Sequence, residues 1–183
     1  MQRDLKIRVV DIPEEGKQIE TEIDIVSVEN LLEGVPEVFR VLTYLSLKCS
    51  FNRIGPELIL DGSYRVDLDL NCIKCLDNFS YGLDEDFHYI VRTDLGNADP
   101  EDLELKSNAL EVYYCSGENI DLSSIVREQI CIDLPQYPHC SEDCLGLCVN
   151  CGENLNKGHC KCLLDKTRAA SPFSVLEKLK DNK

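Results

Sequence analysis

Six of the eleven cysteines in this chain of 183 residues lie close together near its C-terminal end. They occur as three closely spaced pairs, Cys140 and Cys144, Cys148 and Cys151, and Cys160 and Cys162. Gly152 directly follows the middle pair and completes a turn that can point both thiolates at one centre. Four thiolates around one ion suit structural zinc, so Cys148, Cys151, Cys160 and Cys162 are predicted to form a zinc site.

A fourth pair, Cys72 and Cys75, lies far upstream in a predicted connection between two strands. A hairpin tip can hold two thiolates together because the paired strands fix its backbone. Such a pair is half a metal site, and Cys140 and Cys144 are left to complete it. We therefore expect two Zn²⁺ ions. The alternatives are one site with surplus thiols, or ligands exchanged among Cys140, Cys144, Cys148 and Cys151.

A disulfide framework would require an oxidising compartment. The chain begins at Met1 with no apolar stretch of signal-peptide length, so a cytoplasmic protein with reduced thiols is expected. Hydrophobic residues make up 43% of the chain, which is typical of a globular protein. The longest apolar runs are far shorter than the ~20 residues of a spanning helix, so no membrane association is expected.

Charge is distributed unevenly along the chain. Residues 1–155 contain 31 acidic and 12 basic side chains, whereas residues 156–183 contain 3 acidic and 7 basic ones. The acidic body repels phosphate, so nucleic-acid contacts are expected from the basic tail. Its candidate contact residues are Lys166, Arg168, Lys178 and Lys180. Alternatively, these charges only balance the acidic body, and basic partner proteins bind the acidic face.

Alternating apolar side chains predict an antiparallel meander between residues 38 and 92. One strand carries Leu58, Leu60, Tyr64, Val66, Leu68 and Leu70 on its buried face and Asp61, Asp67 and Asp69 on the other. The next strand alternates in the same way from Phe79 to Val91. A weaker upstream pattern places Phe39, Val41, Leu45 and Leu47 on an inward face. Two further strands are expected before and after residues 13–16.

One short turn of helix and two helices are predicted. Ser27 is expected to cap a short one that ends at Gly34, and Asp121 to cap one with a buried stripe formed by Leu122, Ile125, Val126 and Ile130. Ser171 and Pro172 predict a third, amphipathic helix at the C-terminus. Residues 93–111 are acidic and are expected to form a loop. Cys49, Cys115 and Cys131, outside the clusters, are expected to be small buried apolar residues.

These patterns indicate an α+β protein, mainly an antiparallel sheet with one or two helices and a C-terminal zinc-binding segment. The predicted divisions are a β-rich domain over residues 1–135, a cysteine-rich segment over 136–165 packed on it, and a basic tail over 166–183.

Several separately spaced blocks resemble the bacterial YceD family, the large ribosomal RNA subunit accumulation proteins. The blocks are Asn71 to Phe79, Ile120 to Pro135, Cys140 to Cys148, Cys151 to Asn156 and Pro172 to Leu176. The resemblance implies a ribosome biogenesis factor, cytoplasmic or in plants organellar, that supports accumulation or processing of 23S ribosomal RNA. The implied partner is the pre-ribosomal large subunit, through 23S rRNA or a large-subunit ribosomal protein, with no small-molecule substrate.

The residues favour a protein that is not an enzyme. A catalytic zinc keeps an open coordination position, and the sequence offers no recognisable catalytic set beside the cysteines. His139 and His159 adjoin ligand cysteines and either can replace a thiolate, which leaves a zinc-dependent enzyme as one alternative. A redox-sensitive zinc-binding chaperone is the other, because oxidation of thiolates would release the metal.

Overall fold

The computed structural model describes residues 5–36, 38–54, 57–92, 112–115, 118–158, 160 and 162. Contacts divide them into two units. The first comprises the described residues up to Asn71 and those from Asn78 to Pro138. The second comprises Cys72–Asp77 and the described residues from His139 onward, so the chain enters it twice. The predicted loop over 93–111, the tail over 166–183 and the helix beginning at Ser171 lie outside the described residues.

The first unit contains eight strands and two α-helices among its described residues. In chain order these are β1 Lys6–Arg8, β2 Lys17–Ile23, α1 Ile25–Leu31, β3 Val38–Val41, β4 Leu45–Ile54, β5 Glu57–Asn71, β6 Asn78–Arg92, β7 Val112–Tyr114, β8 Asn119–Asp121 and α2 Leu122–Asp133. Six strands form a sheet in the order β2-β4-β5-β6-β7, with β3 also on β5, and β1 pairs with β8. Among these described strands, only the β6–β7 pairing is parallel. The predicted fold class is confirmed.

The meander of β4, β5 and β6 is the largest part of this sheet. Its long strands pair without interruption, from Leu58 opposite Val91 to Asn71 opposite Asn78. Leu60, Val66, Leu68 and Leu70 are fully buried, as the alternation predicts. These side chains form the core together with the stripe of α2 and the inward residues of β4. The hairpin that joins β5 to β6 carries Cys72 and Cys75.

Two residues of the sheet differ from the sequence pattern in their exposure, both because of β3. Asp69, predicted on the polar face, is only 6% exposed. The pairing of β3 with β5 sets Arg40 opposite Asp69, and the Arg40 Nε donates to its carboxylate over 2.9 Å. Phe39, predicted to point inward, is 59% exposed because the register shifts between Val38 and Arg40.

The two helices differ in how well the sequence located them. Asp24, and not Ser27, caps α1: its carboxylate accepts from the Ser27 backbone N–H over 3.1 Å and from the Ser27 hydroxyl over 2.8 Å. The cap of α2 is Asp121, as predicted, and its carboxylate accepts from the Ser123 backbone N–H over 3.0 Å. The predicted stripe of Leu122, Ile125, Val126 and Ile130 is buried. None of the described helices has the length and hydrophobicity needed to cross a membrane.

Candidate metal centre

Eight cysteines form two groups of four in the second unit. One tetrad consists of Cys72, Cys75, Cys140 and Cys144, and the other of Cys148, Cys151, Cys160 and Cys162. Within each tetrad the four Sγ atoms lie within 4.8 Å of one another. The structure therefore arranges these thiols in the two-site partition, with the hairpin pair joined to Cys140 and Cys144.

The sulfur distances fit a tetrahedral thiolate site. Sγ of Cys72 lies 3.8 Å from Sγ of Cys144, and Sγ of Cys75 lies 3.7 Å from Sγ of Cys140. Tetrahedral zinc with Zn–S bonds of about 2.3 Å places its sulfurs about 3.8 Å apart. A disulfide would need about 2.05 Å, and none of the eleven cysteines, all of which are described, forms one. The donor set and its spacing thus suit Zn²⁺.

A tight turn at the hairpin tip brings the first two thiols together. The Cys72 N–H donates to the Asp77 carbonyl over 2.9 Å, and the Leu76 N–H donates to the Cys72 carbonyl over 2.9 Å. Leu76 has φ 61°, which is the left-handed conformation that L-residues with side chains seldom adopt. This reversal of direction folds the backbone around the Cys72 sulfur.

The second tetrad uses the same turn. The Cys148 N–H donates to the Glu153 carbonyl and the Gly152 N–H donates to the Cys148 carbonyl, both over 2.8 Å. Gly152 has φ 75°, at the position that Leu76 occupies in the hairpin. One backbone design therefore holds both Cys-x-x-Cys pairs.

Gly146 allows a close approach between the segment after Cys144 and the hairpin. The Leu147 N–H donates to the Lys74 carbonyl over 3.0 Å, and the Leu155 N–H donates to the Gly146 carbonyl over 2.9 Å. A Cβ at Gly146 would lie 3.0 Å from the Lys74 carbonyl oxygen, and its φ of 74° also favours glycine. This approach positions Cys140 and Cys144 beside the hairpin cysteines.

Two asparagines support the first tetrad from outside it. Asn156 Nδ2 donates to the Cys144 sulfur over 3.3 Å, and Asn156 Oδ1 accepts from the Leu145 N–H over 2.8 Å. Asn154 Nδ2 donates to the Asp77 carboxylate over 2.7 Å. No role was predicted for either asparagine, although the block from Cys151 to Asn156 contains both. Their position between the pairs Cys148/Cys151 and Cys160/Cys162 was the feature of the sequence that could have indicated a role beside the metal ligands.

Backbone amides favour the thiolate form of one cysteine in each tetrad. Burial raises the pKa of Cys72, but the amides of Cys140, Cys75 and Lys74 outweigh it and lower the pKa to about 6. The amides of Cys151 and Asn150, with the Cys160 thiol, lower the pKa of Cys148 to about 7. Each tetrad thus has a thiol that ionises readily, which is the form that binds a metal.

A second thiol in each tetrad, Cys140 in one and Cys162 in the other, shows why a cation suits the site. Interaction with Cys144, followed by burial, raises the pKa of Cys140 to about 12. Interaction with Cys151, followed by burial, raises the pKa of Cys162 to about 12. Once the first thiolates form, their negative charge opposes further ionisation. A divalent cation offsets this repulsion and allows all four thiols to ionise.

The other candidate residues lie elsewhere. His139 is exposed and belongs to neither tetrad, and His159 is outside the described residues. Cys49 and Cys115 are buried as expected, with 4% and 2% exposure. Cys131 is exposed, contrary to expectation, because it follows Ile130 on α2 and points away from the buried stripe. The candidate tail residues also lie outside the described residues; they are Lys166, Arg168, Lys178 and Lys180.

Comparison with known proteins accounts for most of the chain. The family model described as large ribosomal RNA subunit accumulation protein YceD matches residues 60–180, a range that includes both tetrads. The chain belongs to the YceD family. The predicted resemblance is thus confirmed.

A curated relative supports the assignment to the YceD family. It is the large ribosomal RNA subunit accumulation protein YCED homolog 1, chloroplastic, of Zea mays. The two are 25% identical over 139 residues, which are 63% of this chain and 47% of the maize protein. The chain therefore matches about half the length of this relative. No solved structure matches the chain.

Proposed function

We propose that this chain is a ribosome biogenesis factor without catalytic activity that supports accumulation or processing of 23S ribosomal RNA. The observation that carries the proposal is the family match, which extends from β5 through both cysteine tetrads. On this view the second unit presents a binding surface to the pre-ribosomal large subunit, and Zn²⁺ maintains its fold. The proposed partner is 23S rRNA or a large-subunit ribosomal protein.

Closed coordination supports a structural role for the zinc. Each tetrad supplies four cysteine sulfurs, which fill all positions of a tetrahedral ion and leave none for water or substrate. Catalytic zinc sites usually have three protein ligands and one open position. The second unit is small and has few apolar residues among its buried ones, so metal ligation is the main source of its stability.

The need to keep the ligand cysteines reduced indicates which cellular compartment suits the protein. Ligand cysteines must stay reduced to bind zinc, and cytosolic conditions keep them so. We therefore place the protein in the cytoplasm. The maize relative is chloroplastic by name, so an organellar location is the alternative for relatives of this kind.

The decisive experiment replaces the family member of a bacterial host with this chain. Cells that depend on it should have near-normal 23S rRNA levels, and the tagged chain should sediment with large-subunit precursors. Cys148→Ser with Cys151→Ser should lower both, whereas the matched Cys131→Ser variant should not. Normal 23S rRNA after depletion of every family member would overturn the proposal.

A further inference from the structure

Strand β6 has a long open edge. On one side it pairs with β5 from Asn78 to Val91, but on the other it pairs with β7 only from Ile90 to Arg92. Among the described residues, no strand or other backbone group pairs with the remaining edge, residues 78–89. Along an open edge, unpaired N–H and C=O groups point away from the sheet and can pair with another extended chain.

A groove of about 570 Å³ lies beside this edge, within the first unit. Its walls are β6 around Phe87 and Tyr89, the short strand β7, and α2 at Glu128, Gln129 and Ile132. The Tyr89 hydroxyl accepts from Gln129 of α2, and the rings of Tyr89 and Tyr113 meet edge to face with centroids 6.0 Å apart. The groove therefore has walls that are fixed by contacts between three elements.

The groove and its edge carry negative charge and aromatic surface. Glu85, Asp86 and Glu128 form no ion pair within the described part of the chain. Tyrosine rings lie among the lining residues, and the faces of aromatic rings attract the cationic groups of lysine and arginine. An occupant with basic side chains would thus complement both the charge and the rings.

We propose that the open edge of β6 and this groove bind an extended basic segment of a partner protein by strand addition. Main-chain hydrogen bonds to residues 78–89 supply affinity, and alternate lysine or arginine side chains reach Glu85 and Glu128, which lie on the same face of the sheet as Tyr89. The chain's own residues 93–111 fit poorly because they include six acidic side chains and one lysine, Lys106. Like charges would face each other there. The inference stands on the edge and groove and does not depend on the proposed function.

Two peptides separate strand addition from charge attraction alone. The probe is a ten-residue peptide that alternates lysine and threonine, titrated into the zinc-loaded full chain and followed by fluorescence anisotropy. Two derivatives carry N-methyl groups on either the odd or the even residues. Strand addition predicts that one derivative binds like the parent and the other does not, because only one side of the peptide pairs with β6. Equal binding by both, or no binding by the parent, would overturn the proposal.

Substitutions of acidic residues at the groove and edge provide a second test of the proposal. Glu85→Gln with Glu128→Gln should weaken parent binding about two- to thirtyfold, the range for two exposed ion pairs. Glu14→Gln with Glu15→Gln removes the same charge outside the groove and should have no effect. If binding arises only after residues 95–109 are replaced by glycine and serine, the chain's own segment occupies the edge and the proposal is wrong.

Discussion

Leu76 and Gly152 occupy the same position in two equivalent turns, each directly after the second cysteine of a Cys-x-x-Cys pair, and both have positive φ, 61° and 75°. Glycine adopts this conformation without strain, whereas leucine does so at a cost of roughly 1–2 kcal/mol. Leu76 is 65% exposed, so its side chain gains little from burial in return. The first turn is therefore a strained copy of the second.

Leu76→Gly should increase the zinc affinity of the first tetrad. Relief of strain is partly offset by the greater backbone entropy of glycine in the unfolded chain, which leaves a gain of about 0.5–1 kcal/mol, or about two- to fivefold. Competition with a chromophoric chelator measures it. Gly152→Ala is the reciprocal variant: its Cβ meets nothing within 4 Å, so strain alone should weaken the second site by about 1 kcal/mol. An unchanged affinity in both variants would contradict the strain argument.

The purified chain should contain two zinc ions, and Cys72→Ser with Cys75→Ser should leave one. Removal of two ligands abolishes the first tetrad but leaves the four thiols of the second. Elemental analysis after dialysis gives the stoichiometry. Structural zinc in small modules contributes an apparent ~10–16 kcal/mol, so chelation should also unfold the second unit. Zinc-free reduced protein whose second unit keeps its fold would exclude a structural role for the metal.

Asn156→Ala should weaken zinc binding at the first tetrad about tenfold. The variant loses the hydrogen bond to the Cys144 sulfur and the one that holds the Leu145 N–H. Loss of a group that orients a metal ligand commonly lowers affinity by about 10- to 100-fold. Asn150→Ala, in the exposed turn of the second tetrad, is the matched control. Equal effects of the two substitutions on the first site would refute a supporting role for Asn156.

Cysteine labelling at pH 8 should distinguish the thiols outside the tetrads. Burial raises the pKa of Cys49 to about 12, so its thiol stays protonated and inaccessible and should not react in the folded chain. Cys131 is exposed and should react first with iodoacetamide. Mass spectrometry of tryptic peptides identifies the sites. Addition of a chelator should make the tetrad cysteines reactive, while Cys49 should remain protected; early labelling of Cys49 would contradict the packing of the sheet.

The same burial predicts a pH effect on the first unit. The folded pKa of Cys49 lies above its ordinary value of 9.0, so the thiol contributes its full stability below about pH 9. Above that pH the unfolded chain loses a proton that the folded chain keeps, and stability falls. Urea denaturation from pH 8 to pH 10.5 should show this decline, and Cys49→Ala should reduce its slope. An identical slope in the variant would assign the decline to other groups.

Replacement of Lys166, Arg168, Lys178 and Lys180 by alanine should weaken association with large-subunit precursors and reduce its salt dependence. Phosphate contacts provide most nonspecific affinity for RNA, and the acidic body cannot supply them. Sedimentation of lysates at two salt concentrations measures the change. A control that exchanges lysine and arginine at the same positions retains the charge and should behave like the parent. Normal co-sedimentation of the alanine variant would direct attention to basic protein partners of the acidic face.

Local patterns in the sequence were sufficient for much of this structure. The alternation in β5, the stripe of α2 and the cysteine pairs each follow from residues that are close in sequence. Asp69 and Phe39 departed from their patterns because β3 pairs with β5 across a register shift, which no local period reveals. The sequence predicted the wrong cap for α1 because Asp24 and Ser27 are both good capping residues. In the structure Ser27 donates two hydrogen bonds to the Asp24 carboxylate, and these make Asp24 the cap.

The pairing of β1 with β8 was also beyond sequence reasoning. Each strand has three residues, and Ile7 faces Ile120 across more than half of the chain. Short strands of this kind are stabilised by their packing in the core rather than by their own propensity. Asn154 and Asn156 were missed for a similar reason, since an amide that donates to a thiolate has no spacing rule of its own.

The double entry of the chain into the second unit makes the first tetrad depend on residues that are far apart in the sequence. The second tetrad closes only short loops, whereas Cys75 and Cys140 of the first are 65 residues apart. Closing the longer loop costs roughly 2 kcal/mol more in chain entropy. During synthesis, the first site must wait until β6, β7, β8 and α2 have all been made, since they lie between its two halves. A metal ion that binds all four of its cysteines therefore shows that the intervening chain has been synthesised.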